Sequence, residues 1–249
     1  MKKLVLLFIF TFGVKSAFAD CSSSGMYFFP EQKNISLNPM FIIEGYYFSQ
    51  KTVNSFKERS VYLESENGEL IELNLQDILK GQMHLTQAIF CTSSPLKPNT
   101  TYVLKYANQT NAELAEMVRY NREKKKREKI YWTTSDKESL AELNSDLTVE
   151  FKKTETVFYG CGPASYAIFN VKHIPDDELW FKTEVVELSS NKKTTYYLRM
   201  WNEKLSVGHG MCSGAFTFNK NGKYKVRFIP MTIDGKALSP TRWKTFDSP

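Results

Sequence analysis

Apolar and polar residues alternate with a two-residue period along most of this chain, a pattern that belongs to half-buried β-strands and to little else. Ile71, Leu73 and Leu75 share one face while Glu72 and Asn74 share the other. Tyr102, Leu104 and Tyr106 alternate with Val103 and Lys105, and Tyr224, Val226 and Phe228 alternate with Lys223, Lys225 and Arg227. The stretch 164–173 reads the same way, with Ala167, Phe169 and Val171 set against Ile168 and Asn170. Asn67-Gly68, between two such runs, predicts a two-residue hairpin turn with positive φ at both central positions. Many short strands separated by turn residues favour an all-β sandwich over an α/β fold.

One segment breaks the alternation. Residues 110–129 carry Ala, Leu, Glu, Met, Arg and Lys, all good helix formers, with almost no β-branched residue. Thr110 and Glu113 have the spacing of a capping box, and Leu114, Met117 and Val118 make a narrow apolar stripe. A helix inserted between two strands is therefore expected over 110–129. Its cations Arg119, Arg122, Lys124, Lys125, Lys126, Arg127 and Lys129 exceed the acids Glu113, Glu116, Glu123 and Glu128 by three. Two readings stay open: a solvated helix held by local ion pairs, or a basic ridge that binds an anionic envelope polymer, a lipid headgroup or an acidic protein.

The N-terminus has the plan of a cleavable signal peptide. Lys2 and Lys3 precede the apolar run 4–10, and Ala17-Phe18-Ala19 is a small-x-small site, so the mature chain is expected to begin near Asp20. The apolar run is too short to span a bilayer, and no other span follows it. The formal charge of the whole chain is +6, and loss of Lys2, Lys3 and Lys15 with residues 1–19 lowers it to +3. Charge of that size does not point to nucleic acid.

Cys21, Cys91, Cys161 and Cys212 remain, an even number in a chain addressed to an oxidising compartment. None sits in a CxxC unit, which argues for structural disulfides rather than a zinc or redox site. Of the three pairings, Cys21–Cys91 with Cys161–Cys212 is the expected one, because each bond then lies within one domain. The polar stretch 136–145 reads as a linker, dividing the mature chain into domains 20–135 and 146–249, each close to the size of an immunoglobulin module.

Leu96-Lys97-Pro98-Asn99-Thr100-Thr101-Tyr102-Val103-Leu104 resembles the corner and strand of bacterial Ig-like and fibronectin type III domains. The run 35–42 is similar to their first long strand, after an opening that contains Pro30, and 131–134 looks like their closing strand. Asn221-Gly222 with 223–226, and Asp234-Gly235, are similar to their last hairpin. The resemblance implies two tandem Ig-like β-sandwich domains on an exported protein, and in this family the corner tyrosine hydroxyl ties back to the chain. It implies no catalytic residue. The expected helix departs from the family pattern, since it falls where a short loop belongs.

Candidate chemistry is sparse. Cys161-Gly162-Pro163-Ala164-Ser165 resembles the nucleophile motif of papain-like and bacteriocin-processing cysteine peptidases, with His209 as the possible base. That chemistry needs the cysteine at a helix N-terminus, whereas the flanking sequence reads as strand. His84, His173 and His209 are isolated, so no metal site or cofactor is expected, and Met200 and Met211 read as core fillers. Pro175-Asp176-Asp177-Glu178 reads as a turn. Tyr46, Tyr47, Phe48, Tyr196, Tyr197 and Trp201 fall in strand-like stretches and are expected to pack, although an exposed aromatic row would suggest peptide or glycan binding. The sequence thus favours a non-enzymatic secreted or periplasmic envelope protein that binds a protein or an anionic surface polymer. The alternative is a cysteine-type hydrolase built on Cys161 and His209.

Overall fold

The computed structural model describes residues 21–121, 124–137 and 142–249. The expected signal segment 1–19, Arg122 and linker residues 138–141 lie outside them. The described chain is nearly all β. Its front half forms one eight-stranded sheet in the order β1 (Ser24–Phe29), β3 (Met40–Tyr47), β6 (Leu85–Thr92), β5 (Leu70–Lys80), β4 (Val61–Ser65), β7 (Thr101–Tyr106), β10 (Tyr131–Thr134), β2 (Asn34–Ile35). Every pairing is antiparallel except β10 with β2. The sheet doubles back on itself, because Phe41 on β3 meets Trp132 on β10 at 4.8 Å between ring centres although the two strands lie toward opposite ends of that order. Phe56, just after the short helix α1 (Gln50–Ser55), closes one end of the core against Phe90 and Tyr106.

The back half packs two sheets face to face. β11 (Thr148–Tyr159), β12 (Gly162–Lys172) and β15 (Lys204–His209) form one, and β14 (Lys193–Arg199), β13 (Leu179–Glu187), β16 (Lys223–Thr232) and β17 (Lys244–Asp247) form the other. The alternating residues of 223–228 behave as their pattern dictates: Tyr224, Val226 and Phe228 are buried, and Phe228 meets Phe169 of the opposite sheet at 5.0 Å. A second hydrophobic core forms between these sheets.

The two halves repeat one device. Tyr102 is fully buried and its hydroxyl accepts the amide of Lys97 at 3.0 Å. Tyr224 is likewise buried, and its hydroxyl accepts the amide of Asn219 at 2.6 Å. In both cases a phenol at the start of a core strand satisfies a backbone N–H five residues upstream, which fixes the direction of the preceding corner.

The helix expected over 110–129 stops early. α2 (Asn111–Glu116) carries the expected capping box, with Glu113 N–H donating to Thr110 Oγ1 at 3.2 Å and Thr110 N–H donating to Glu113 Oε2 at 2.9 Å. The Glu113 carboxylate also receives both terminal nitrogens of Arg59, at 2.6 and 2.8 Å, and this pairing holds its pKa down to about 2. β8 (Val118–Asn121) and β9 (Lys126–Lys129) follow as a two-stranded hairpin, with Val118 opposite Lys129. Helix propensity favours a longer helix, but its apolar stripe ends at Val118, so later turns would bury nothing, and helices within proteins owe most of their stability to packing of an apolar face. The hairpin instead tucks Met117 and Ile130 into the core. The Asn67-Gly68 hairpin forms, yet positive φ occurs at Gly68 and not at Asn67, and Ser65 N–H bonds Glu69 O across a longer loop.

Candidate functional site

The halves are joined by more than the chain. Trp180, Tyr197, Met231 and Ile233, all from the back half, belong to the front-half core. Gln87 acts as a substitute strand: its Nε2 donates to Tyr197 O at 3.0 Å and its Oε1 accepts Tyr197 N–H at 3.1 Å. Glu178 Oε2 accepts the amides of Glu31 and Gln32 at 2.6 and 3.0 Å, while its Oε1 accepts Trp180 Nε1 at 2.8 Å. The Asp176-Asp177 pair next to it forms a bend, as expected of turn chemistry.

Beside this junction runs an open groove of about 570 Å³ between β1 and β8. β1 is an edge strand, paired among the described residues only with β3. Tyr27, Tyr120 and Trp201 line the groove and are 49, 57 and 66% exposed. Phe48, expected to pack like Trp201, is also well exposed, whereas Tyr196 and Tyr197 are buried. Position in a strand-like run did not separate these cases, because Phe48 and Trp201 fall just beyond the ends of β3 and β14, whereas Tyr196 and Tyr197 lie within β14.

Arg119 also lines the groove. Its guanidinium donates to Glu31 O at 2.6 Å, Phe28 O at 2.7 Å and Pro30 O at 2.8 Å, and burial lowers its pKa. This cation, expected on a solvated ridge, therefore points inward and fastens the hairpin to the end of β1. Lys124 pairs with Glu128 at 3.0 Å, and Lys33 pairs with the same carboxylate at 3.1 Å. Lys124, Lys125, Lys126, Arg127 and Lys129 stay exposed on the hairpin, while Arg122 lies outside the described residues. The basic surface is thus a β-hairpin beside the groove, and not a helical ridge.

A second cavity, of about 220 Å³, opens at the junction and is lined by Glu44, Gln87, Tyr166, Tyr196 and Arg199 among others. Glu44 accepts Gln87 Nε2 at 2.8 Å and the Tyr196 hydroxyl at 3.0 Å. Burial pushes its carboxyl pKa up, against the pull of those two bonds and of the Arg199 charge. An acid whose folded pKa is raised binds protons more tightly when folded, so its contribution to stability falls as pH rises past the ordinary carboxylate range. Glu44→Gln should therefore melt above the wild type at pH 8 and lose that advantage toward pH 4. Thermal scans across that range check it, and a wild-type advantage at pH 8 would contradict it.

The disulfide joins Cys21 to Cys212, replacing both expected pairings. Register explains why Cys21 cannot reach Cys91. Ser24 pairs with Tyr47 at one end of β3, while Cys91 pairs with Met40 at the other, and eight strand residues span about 25 Å. The bond therefore ties the front half to the back half instead of clamping each separately. Cys91 holds a thiol whose pKa burial raises. Cys161 occupies the turn between β11 and β12, and its Sγ lies within 4.8 Å of those of Cys21 and Cys212. The motif 161–165 runs into strand β12 and not into a helix. His209 Nδ1 lies 2.9 Å from Gly210 O, and His84 stacks on Tyr47 at 4.4 Å. Among the described residues, no helix is long and apolar enough to cross a membrane.

No known family matches the chain, and no curated protein does. Among solved structures, a pullulanase from Anoxybacillus sp. LM18-11, complexed with maltotriose, aligns with 90% of this chain and 25% of its own at 9% identity and a TM-score of 0.25. A DUF4785 family protein from Legionella pneumophila aligns with 88% of this chain and 56% of its own at 8% identity and a TM-score of 0.24. This chain spans about a quarter of the pullulanase. Likeness at this level carries no argument about function.

Proposed function

We propose that the protein is a non-enzymatic, secreted or periplasmic binding protein of the cell envelope, built of two Ig-like modules fused at their junction, that holds an extended acidic segment of another protein along β1. The observation that carries the reading is the groove, where an edge strand and three exposed aromatic rings meet beside the hairpin that bears the exposed cations. An edge strand offers main-chain donors and acceptors to an incoming strand, and pockets beside it select side chains. Aromatic rings supply contact area at small entropic cost. The exposed cations of the β8–β9 hairpin favour an acidic partner and make its capture salt-dependent. The two tyrosine corners and the face-to-face sheets support the Ig-like reading, and the disulfide suits an oxidising compartment.

Selection of a displayed random-peptide library against the mature protein tests this. Acidic peptides with alternating apolar residues should be enriched, and the Tyr120→Ala/Trp201→Ala variant should bind them at least about tenfold more weakly, the size of one hot-spot loss. Peptides that bind both proteins equally, or a glycan panel that binds in their place and is lost in the variant, would overturn the reading.

A further inference from the structure

We propose that Cys21, Cys161 and Cys212 form a thiol–disulfide exchange centre in which the disulfide can move from Cys21–Cys212 to Cys161–Cys212. The proposal is independent of the groove. All three sulfurs lie within 4.8 Å of one another, so Cys161 stands beside an existing disulfide at a distance that side-chain rotation can close to the roughly 2 Å of a bond. Cys161 sits in a two-residue turn between Gly160 and Gly162, at the end of the hairpin that pairs Tyr159 with Gly162. The β12–β15 ladder, which runs as far as Ser165 opposite His209, brings that turn to the loop that carries Cys212. A Cβ at Gly162 would lie 4.0 Å from Met211 O, which places the two backbones side by side. Cys21, by contrast, precedes β1 and reaches the cluster from the other half of the molecule.

The step needs no outside oxidant. Cys161 gives its proton to solvent, and the thiolate donates an electron pair to Sγ of Cys212. The Cys21–Cys212 bond breaks, and its electron pair leaves on Cys21, which takes a proton from solvent. One disulfide and one thiol are present before and after. The scaffold supports the product as well as the starting bond, because the Cys161–Cys212 pair is held by a ladder within the back half and survives departure of the N-terminal segment. The exchange converts a bond between the halves into a bond within one of them, and leaves Cys21 as a thiol beside the start of β1.

The test uses the mature chain carrying Cys91→Ser, so that one thiol is followed. The folded protein is held at pH 8.5 without reductant, sampled over hours, quenched in acid, alkylated and digested without reduction for mass spectrometry. Label should begin on Cys161 and spread to Cys21 in up to about a tenth of the molecules, together with a Cys161–Cys212 cystine peptide, as a minor state would give. Cys161→Ser should hold Cys21 unlabelled throughout. A wild-type Cys21 that stays unlabelled while circular dichroism shows the native fold would overturn the proposal. Cys21→Ser treated with oxidised glutathione supplies a second readout: a Cys161–Cys212 cystine supports the proposal, and persistent glutathione adducts on both sulfurs refute it.

Discussion

Trp132→Ala should lower the unfolding free energy by about 3–5 kcal/mol, the usual cost of removing a fully enclosed indole from a core. Trp132 is almost completely buried, packs its ring on Phe41 across the doubled sheet, and donates Nε1–H to Pro30 O at 3.0 Å. No single small rearrangement can refill that space, because the contact joins strands from opposite ends of one sheet. Trp132→Phe keeps most of the volume and loses one hydrogen bond to a carbonyl that Arg119 also serves, so it should cost about 1–2 kcal/mol. Urea denaturation gives both values. A Trp132→Ala variant within about 1 kcal/mol of the wild type would mean that the sheet does not fold back as described.

Arg119→Ala should cost about 2–4 kcal/mol, far more than an exposed cation, because it strips three backbone carbonyls of a charged donor in a partly buried place. The comparison that matters is with its neighbours in sequence. Lys125→Ala, Lys126→Ala and Arg127→Ala should each fall within about 0.5 kcal/mol of the wild type. Hydrogen exchange should speed up through 118–129 in Arg119→Ala and in none of the other three. Equal costs for all four substitutions would return Arg119 to the solvated surface.

Those two residues also show how far sequence reasoning reached. Tyr224, Val226 and Phe228 were legible because a half-buried strand imposes a period that nothing else in the chain imitates, and Tyr102 was legible because a corner motif is local. Arg119 was not, since the partners that hold it, the carbonyls of Phe28, Pro30 and Glu31, lie some ninety positions upstream. The capping box at Thr110 is legible from its spacing, but helix propensity says nothing of where tertiary contacts end α2. The disulfide failed for the same reason on a larger scale: its partners are 191 residues apart, and pairing by proximity in sequence had no means of finding them. The groove needed the strand order, because exposed Trp201 and buried Tyr197 sit in stretches of like composition.

The substitute strand made by the side chain of Gln87, with Trp180, Tyr197, Met231 and Ile233 seated in the neighbouring core, means that neither half has a finished surface of its own. Severing the chain between them would leave one piece with a hole and the other with an oily knob. The smallest piece that can be expected to behave as a soluble whole is therefore the pair.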